Sequence, residues 1–162
     1  MPGTGPRGRP AGQLVAEIVL ATTDQIDGMA DLVARIPADA DTPEENLAHL
    51  ARQFLAAFTQ PQVLQLRRLV IANADTFPEL GANWYEQGFE RVLATLAATF
   101  QRLADHGQLQ TDEPLPAANH FSGLLLWIPV NKAMFHGSPQ HTEAELDHYA
   151  TAGIRTFLAA YR

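Results

Sequence analysis

From residue 13 onward, apolar residues return at the three- and four-residue steps that place them on one face of a helix. The pattern is densest from Gln62 to Leu109, QVLQLRRLVIANADTFPELGANWYEQGFERVLATLAATFQRLADHGQL. Val63, Leu66, Val70, Ala74 and Phe77 form one stripe. Phe89, Val92, Leu93, Leu96, Phe100 and Leu103 form another. Pro78 disfavours helical geometry at Phe77, so the first helix is expected to stop there. Gly107 offers a left-handed stop for the second. Phe77, Trp84, Tyr85 and Phe89 gather around the corner between them, large and partly tipped with polar atoms.

The flanking segments read the same way. Gln13 to Ile36 is expected to be helical, with a break near Gly28 and an acidic, solvated side at Asp24, Asp27 and Asp31. Pro37 to Asp41 is a turn, and Thr42-Pro43-Glu44-Glu45 is a helix start, with Thr42 and Glu45 placed for a capping box. Leu47, Leu50, Phe54, Leu55 and Phe58 make that helix's buried stripe. After the connector Thr111–Pro116, a helix from about Ala117 to His136 carries Phe121, Leu124, Leu125, Leu126, Trp127, Ile128 and Val130 with almost no polar face. Such a helix must be covered on every side, which in a chain of this size calls for a partner subunit. Pro129 is expected to kink it and Gly137 to end it. Beyond the turn at Pro139–Gln140, Thr142 and Glu145 form a second capping box. The last helix presents Leu146, Tyr149, Ala150, Gly153, Ile154, Phe157, Leu158 and Tyr161. No strand-like alternation and no repeat interrupts this, so the fold class is all-α, with about six helices.

Composition narrows the function. The chain has 162 residues, enough for one domain with a proper core. Its net charge is -7 and Lys132 is its single lysine, so it lacks the basic stripe of a nucleic-acid binder. The first twelve residues, MPGTGPRGRPAG, are dominated by glycine and proline and are expected to form a disordered arm carrying Arg7 and Arg9, ahead of a folded domain over 13–162. No apolar run reaches the length needed to span a bilayer. The run Leu14–Ala21 behind those arginines is broken by Glu17 and continues as a helix, which argues against a signal peptide. With no cysteine, the chain fits a reducing compartment, and a cytoplasmic location is expected.

Catalytic chemistry finds no footing. Glu145-Leu146-Asp147-His148 has the Glu-x-x-His spacing of di-iron bundles, but those sites need the motif twice with two further glutamates. Glu145 is better read as a cap and His148 as a surface residue. His136 and His141 flank a Gly-Ser-Pro turn without a convincing metal set. Ser122 and Ser138 are the only serines, and neither lies in a Gly-x-Ser-x-Gly elbow. No phosphate-binding glycine loop is present. The expectation is no enzyme, no metal and no cofactor.

A binding role is better supported. Aromatic bulk at a helix corner is hard to close-pack, so a mostly apolar ligand cavity is expected, with walls from Phe54, Phe58, Leu66, Val70, Trp84, Tyr85, Phe89 and Trp127. Arg67, Arg68 and Asn73 lie on the central helix among apolar neighbours. Arginines lying over a core are the default, and the sharper reading has one of these residues fix a ligand's polar group. Asn73 is counted in the candidate site.

RRLVIANADTFPEL and WYEQGFERVLATL resemble the C-terminal regulatory domain of TetR-type transcriptional regulators, closest to the AefR-like group, from about Leu14 to the C-terminus. Arg68–Ala72 and Phe77–Leu80 carry the likeness, while Asn73 stands where an acidic residue is expected. The resemblance implies an effector-binding and dimerisation domain. A homodimer is expected through the last two helices, at Phe121, Leu124, Leu125, Ile128, Gly153, Ile154, Phe157 and Leu158. The effector would be a small apolar or aromatic molecule. Arg7-Gly8-Arg9-Pro10 resembles the arm that opens such proteins, yet no room for a helix-turn-helix separates it from Gln13. The chain alone is therefore expected not to bind DNA. The alternative is an interaction bundle that pairs with an intact regulator.

Overall fold

The computed structural model describes Gln13, Glu17, Leu20, Asp24, Asp27, Gly28, Ala30, Asp31 and residues 33–35, 42–137 and 141–162. The expected arm at 1–12 and the turns at Pro37–Asp41 and Pro139–Gln140 fall outside these residues, and the expected first helix falls within them only partially. All described residues from Gln13 to Ala34 are helical, Gly28 among them. Beyond them come α1 (Pro43–Phe58), α2 (Pro61–Asn73), α3 (Pro78–Asn83), a π-helical segment (Trp84–Glu90), α4 (Arg91–Asp105), α5 (Pro114–His136) and α6 (Glu143–Tyr161). No strand occurs among the described residues. The fold is all-α.

Local chemistry sets the boundaries. Proline opens α1, α2, α3 and α5, where its missing N–H costs no helical hydrogen bond. Gly107 (φ 71°) closes α4 in a Schellman turn: Gln108 N–H donates to Leu103 O at 2.8 Å and Gly107 N–H to Ala104 O at 2.9 Å. Gly137 (φ 76°) closes α5. The two expected capping boxes diverge. Thr142 accepts from Glu145 N–H at 3.2 Å while the Glu145 carboxylate accepts from Thr142 N–H at 2.7 Å. At α1 the box does not form. The Thr42 hydroxyl donates instead to the Glu45 carboxylate at 3.0 Å and leaves the backbone N–H groups of the first turn uncapped.

The core is organised by phenylalanines from different helices. Phe100 of α4, Phe121 of α5 and Phe157 of α6 meet in a triangle with ring centroids 5.4, 5.1 and 5.4 Å apart, and Phe54 of α1 reaches Phe121 at 5.7 Å. Around them lie the expected stripes of α1, α4 and α6. α5 packs against α4 and α6, and α6 against α1. Gly153 lets α6 close on α5, since a Cβ there would lie 2.8 Å from Leu125 Cδ2. The loop after α4 is tied to the end of α6 by Gln110 N–H donating to Tyr161 O at 2.7 Å. The helical residues near the N-terminus dock on α4 through an Asp27–Arg91 ion pair at 2.7 Å and a Thr99 hydroxyl donating to Val33 O at 3.3 Å. Asp24 and Asp31 are exposed, as a solvated face requires.

Two sequence expectations need correction here. Of the stripe expected over Val63–Phe77, Leu66, Val70 and Phe77 do meet, but in a small cluster with Leu69, Leu80 and Trp84 apart from the main core, and it is Leu64, outside the stripe, that enters the main core. The corner aromatics likewise do not form one group. Phe77 and Trp84 join that small cluster, while Phe89 turns to Phe58, at 6.4 Å between centroids. The π-helical segment separates them, because its i→i+5 bonding shifts the side chains out of the register a plain α-helix would keep.

The cap difference is measurable. Thr142→Ala is expected to cost about 1 kcal/mol in urea unfolding. Thr42→Ala, which removes no backbone cap, is expected to cost well under half of that. Equal losses would contradict the assignment.

Candidate functional site

A cavity of about 400 Å³ lies between α2 and α5. Its α5 wall uses Asn119, Ser122, Gly123, Leu126, Trp127, Val130, Asn131 and Met134, positions that recur every three or four residues on one side of the helix. Arg67 and Ile71, one turn apart on α2, form the facing wall, and Phe89 from the π-helical segment completes it. The volume lies within the roughly 300–1,000 Å³ range of small-molecule sites, and the lining is apolar with a few polar groups.

Arg67 is the only charged residue of the lining. It has neither a hydrogen bond nor an ion pair among the described residues. Burial pushes its pKa below the ordinary value, and no neighbouring carboxylate opposes that shift. An arginine stays protonated at neutral pH all the same, so the cavity holds a partly desolvated cation. The adjacent Arg68 is used structurally, donating through Nη2 to Ala133 O of α5 at 3.0 Å. Asn131 donates to Trp127 O at 2.7 Å and Asn119 to Leu115 O at 3.0 Å, each by its amide nitrogen, so these bonds do not engage their amide oxygens.

Of the residues expected to line a ligand cavity, the structure brings Phe89 and Trp127 together here. Phe54 is sealed in the core, and Phe58 stacks on it at 4.7 Å. Leu66, Val70 and Trp84 belong to the small cluster, and Tyr85 is 54% exposed. Asn73 is not among the residues that line this cavity, and its amide nitrogen donates to Leu69 O of its own helix at 2.8 Å. Apart from Trp127, the α5 wall was not expected from the sequence. Its signal was present as Asn119, Ser122 and Asn131, polar residues at helical spacing on a mostly apolar helix.

Next to the cavity, α5 exposes an apolar strip: Phe135 is 87% exposed, Leu124 and Ile128 are exposed with it, and Trp127, a cavity residue that is 72% exposed, stands at its edge. Of the residues expected at a subunit interface, Leu124 and Ile128 are thus available, and Leu158 is half-buried. Phe121, Leu125, Gly153, Ile154 and Phe157 are consumed by the chain's own core, because α5 and α6 pack on each other and on α4 and α1. A charge at Phe157 would therefore unfold the subunit rather than merely dissociate a dimer.

A second hollow, also about 400 Å³, lies between α1 and α6 and is lined by Glu44, Glu45, Ala48, Arg52, Thr151, Ile154 and Arg155. Two of its charged residues, Arg52 and Glu44, are paired, while Arg155 has no ion pair or hydrogen bond among the described residues. Arg52 pairs with Asp147 at 2.6 Å, and Arg162 pairs with Glu44. No group of three or more His, Asp or Glu residues able to hold a metal occurs among the described residues. His136 and His148 are exposed, and Glu145 serves as the α6 cap. No helix of the described residues is long and apolar enough to cross a membrane.

An all-α bundle of this shape is shared with solved TetR-type transcriptional regulators. Within that class the chain belongs to the AefR-like transcriptional repressor C-terminal domain family, whose model matches residues 45–162. A solved putative TetR-family transcriptional regulator from Mesorhizobium loti MAFF303099 is 46% identical, with a TM-score of 0.86 over 91% of this chain and 73% of that one. The flavonoid-responsive regulator FrrA is 25% identical, with a TM-score of 0.73 over 91% of this chain and 74% of its own. No curated protein matches the chain. The family is one of transcriptional regulators and not an enzyme family.

An unpaired cation inside a fold is a cost to stability. Arg67→Met, which keeps the length and loses the charge, is expected to be neutral or to stabilise by about 1 kcal/mol in chemical denaturation. A loss of more than about 2 kcal/mol would mean that the guanidinium has a structural partner.

Proposed function

We propose that this chain is the effector-binding and dimerisation domain of a TetR-family regulator, with the effector held in the α2–α5 cavity and a second copy packed on the outer face of α5. The observation that carries this reading is that one helix supplies both surfaces. Trp127 lines the cavity and also stands on the exposed apolar stripe with Leu124, Ile128 and Phe135. Occupancy of the cavity would then bear directly on the subunit interface. The structural likeness to a regulator described as flavonoid-responsive supports a small, aromatic effector. A cytoplasmic location accords with a transcriptional role.

In this reading the chain does not read an operator on its own. Specific binding needs an element to enter a groove and positive charge to displace counterions. The helices from α1 to α6 all bury residues in the core or the small cluster beside it, and the chain's net charge is -7. Pairing with an intact regulator through α5 is the second reading, favoured by the same exposed stripe.

Analytical ultracentrifugation at micromolar concentration is expected to give a dimer. Ile128→Glu, at an exposed position, is expected to give a folded monomer with unchanged helical circular dichroism. A monomeric wild type would remove the dimer from this proposal. In mobility-shift titrations at physiological salt, the chain alone is expected to form no discrete, sequence-competed complex at nanomolar protein, and such a complex would refute the non-binding reading.

A further inference from the structure

We propose that the α2–α5 cavity selects an organic acid: an amphipathic ligand whose anionic group meets the Arg67 guanidinium and whose apolar, preferably aromatic, body lies against Phe89, Leu126, Trp127 and Met134. The inference rests on the effector-site reading above and adds the charge of the ligand to it.

Three observations converge on an anion. Arg67 is the one charged group in the lining, and it has no carboxylate, hydroxyl or carbonyl partner among the described residues. The two helices that build the cavity contain no acidic residue at all: α2 is PQVLQLRRLVIAN and α5 is PLPAANHFSGLLLWIPVNKAMFH. In a chain carrying 18 acidic residues against 11 lysines and arginines, that leaves both helix walls free of carboxylates, and the acidic residues nearest in sequence to the lining are Glu86 and Glu90 in the π-helical segment that carries Phe89. Finally, the remaining cations of these helices are engaged elsewhere. Arg68 is bonded to Ala133 O, and Lys132 pairs with Glu145 at 3.7 Å.

The chemistry of the side chain sharpens the class. A guanidinium presents a planar fork of donors that fits a carboxylate or sulfonate with two parallel hydrogen bonds. Partial burial lowers the local dielectric, so the charge interaction is stronger than at the surface. Burial holds the Arg67 pKa below its ordinary value. The α1–α6 hollow offers a contrast in its walls: there Glu44 and Glu45 stand beside the arginines, and Arg52 and Arg162 pair with Asp147 and Glu44.

Two fluorescent probes with one aromatic frame separate charge from shape: 1-anilinonaphthalene-8-sulfonate, an anion, and N-phenyl-1-naphthylamine, its neutral counterpart. In titrations of the whole chain, the sulfonate is expected to bind at least about tenfold more tightly than the neutral probe, the factor a charge-assisted hydrogen-bonded pair supplies. Arg67→Gln should erase that preference and leave the neutral probe within about threefold of wild type. Arg67→Lys should keep some of the preference. Arg155→Gln, which removes the same charge outside this cavity, should keep all of it. If both probes bind wild type equally and Arg67→Gln alters neither, the acid class is wrong while the effector site stands. Binding of neither probe sinks both. Should Arg67→Gln lose its helical circular dichroism, the wild-type comparison decides alone, and a preference under about threefold overturns the proposal.

Discussion

The packing of Phe100, Phe121 and Phe157 is the constraint from which the rest of the arrangement follows. Each ring comes from a different helix, and Phe54 extends the contact to a fourth. Offset and edge-on rings at these distances add about 0.5–1.5 kcal/mol per pair beyond the area they bury. More consequentially, they set the rotation of α5. With Ala118, Ser122, Leu125, Leu126, Pro129 and Ala133 on the buried side of α5 beside Phe121, the positions Leu124, Trp127 and Ile128 are left on the outward side. The exposed stripe is therefore a result of the core geometry and not an independent feature.

The π-helical segment Trp84–Glu90 makes a second, local decision. A continuous α-helix from Pro78 to Asp105 would carry the corner aromatics round with a fixed register. The wider turn lets Trp84 stay on the small cluster with Val70 and Leu80 while Phe89 reaches both Phe58 and the cavity. Such segments recur at functional sites because they re-aim side chains without ending the helix. Here the re-aimed residue is one of the cavity walls.

Arg67 shows how stability and function pull apart. A solid apolar junction between α2 and α5 would hold these helices better than a cavity containing an unpaired cation. α2 is already the more weakly anchored helix, burying only Leu64 and Val70, and these go to separate clusters. A wall that is loosely held and carries an unmatched charge is suited to respond to an occupant, whose binding would supply both the packing and the counter-charge.

By itself the sequence determined most of the helices and the core stripes of three of them. The stripes of α1, α4 and α6, the Gly107 and Gly137 stops, and the Thr142–Glu145 cap depend on periodicity and on backbone chemistry within a few residues, and those are local properties. The likeness in Arg68–Ala72 and Phe77–Leu80 was likewise enough to indicate the family that the match over 45–162 shows. Only the tertiary structure decided which apolar residues of α5 face the core and which face outward, since a helix apolar all round carries no sequence signal for its rotation. It also decided that Arg67, rather than Arg68 or Asn73, lines the cavity. Neighbouring positions on one helix point about 100° apart. Which of them meets α5 depends on how two helices distant in sequence are docked, and that docking is set by rings contributed from the rest of the chain.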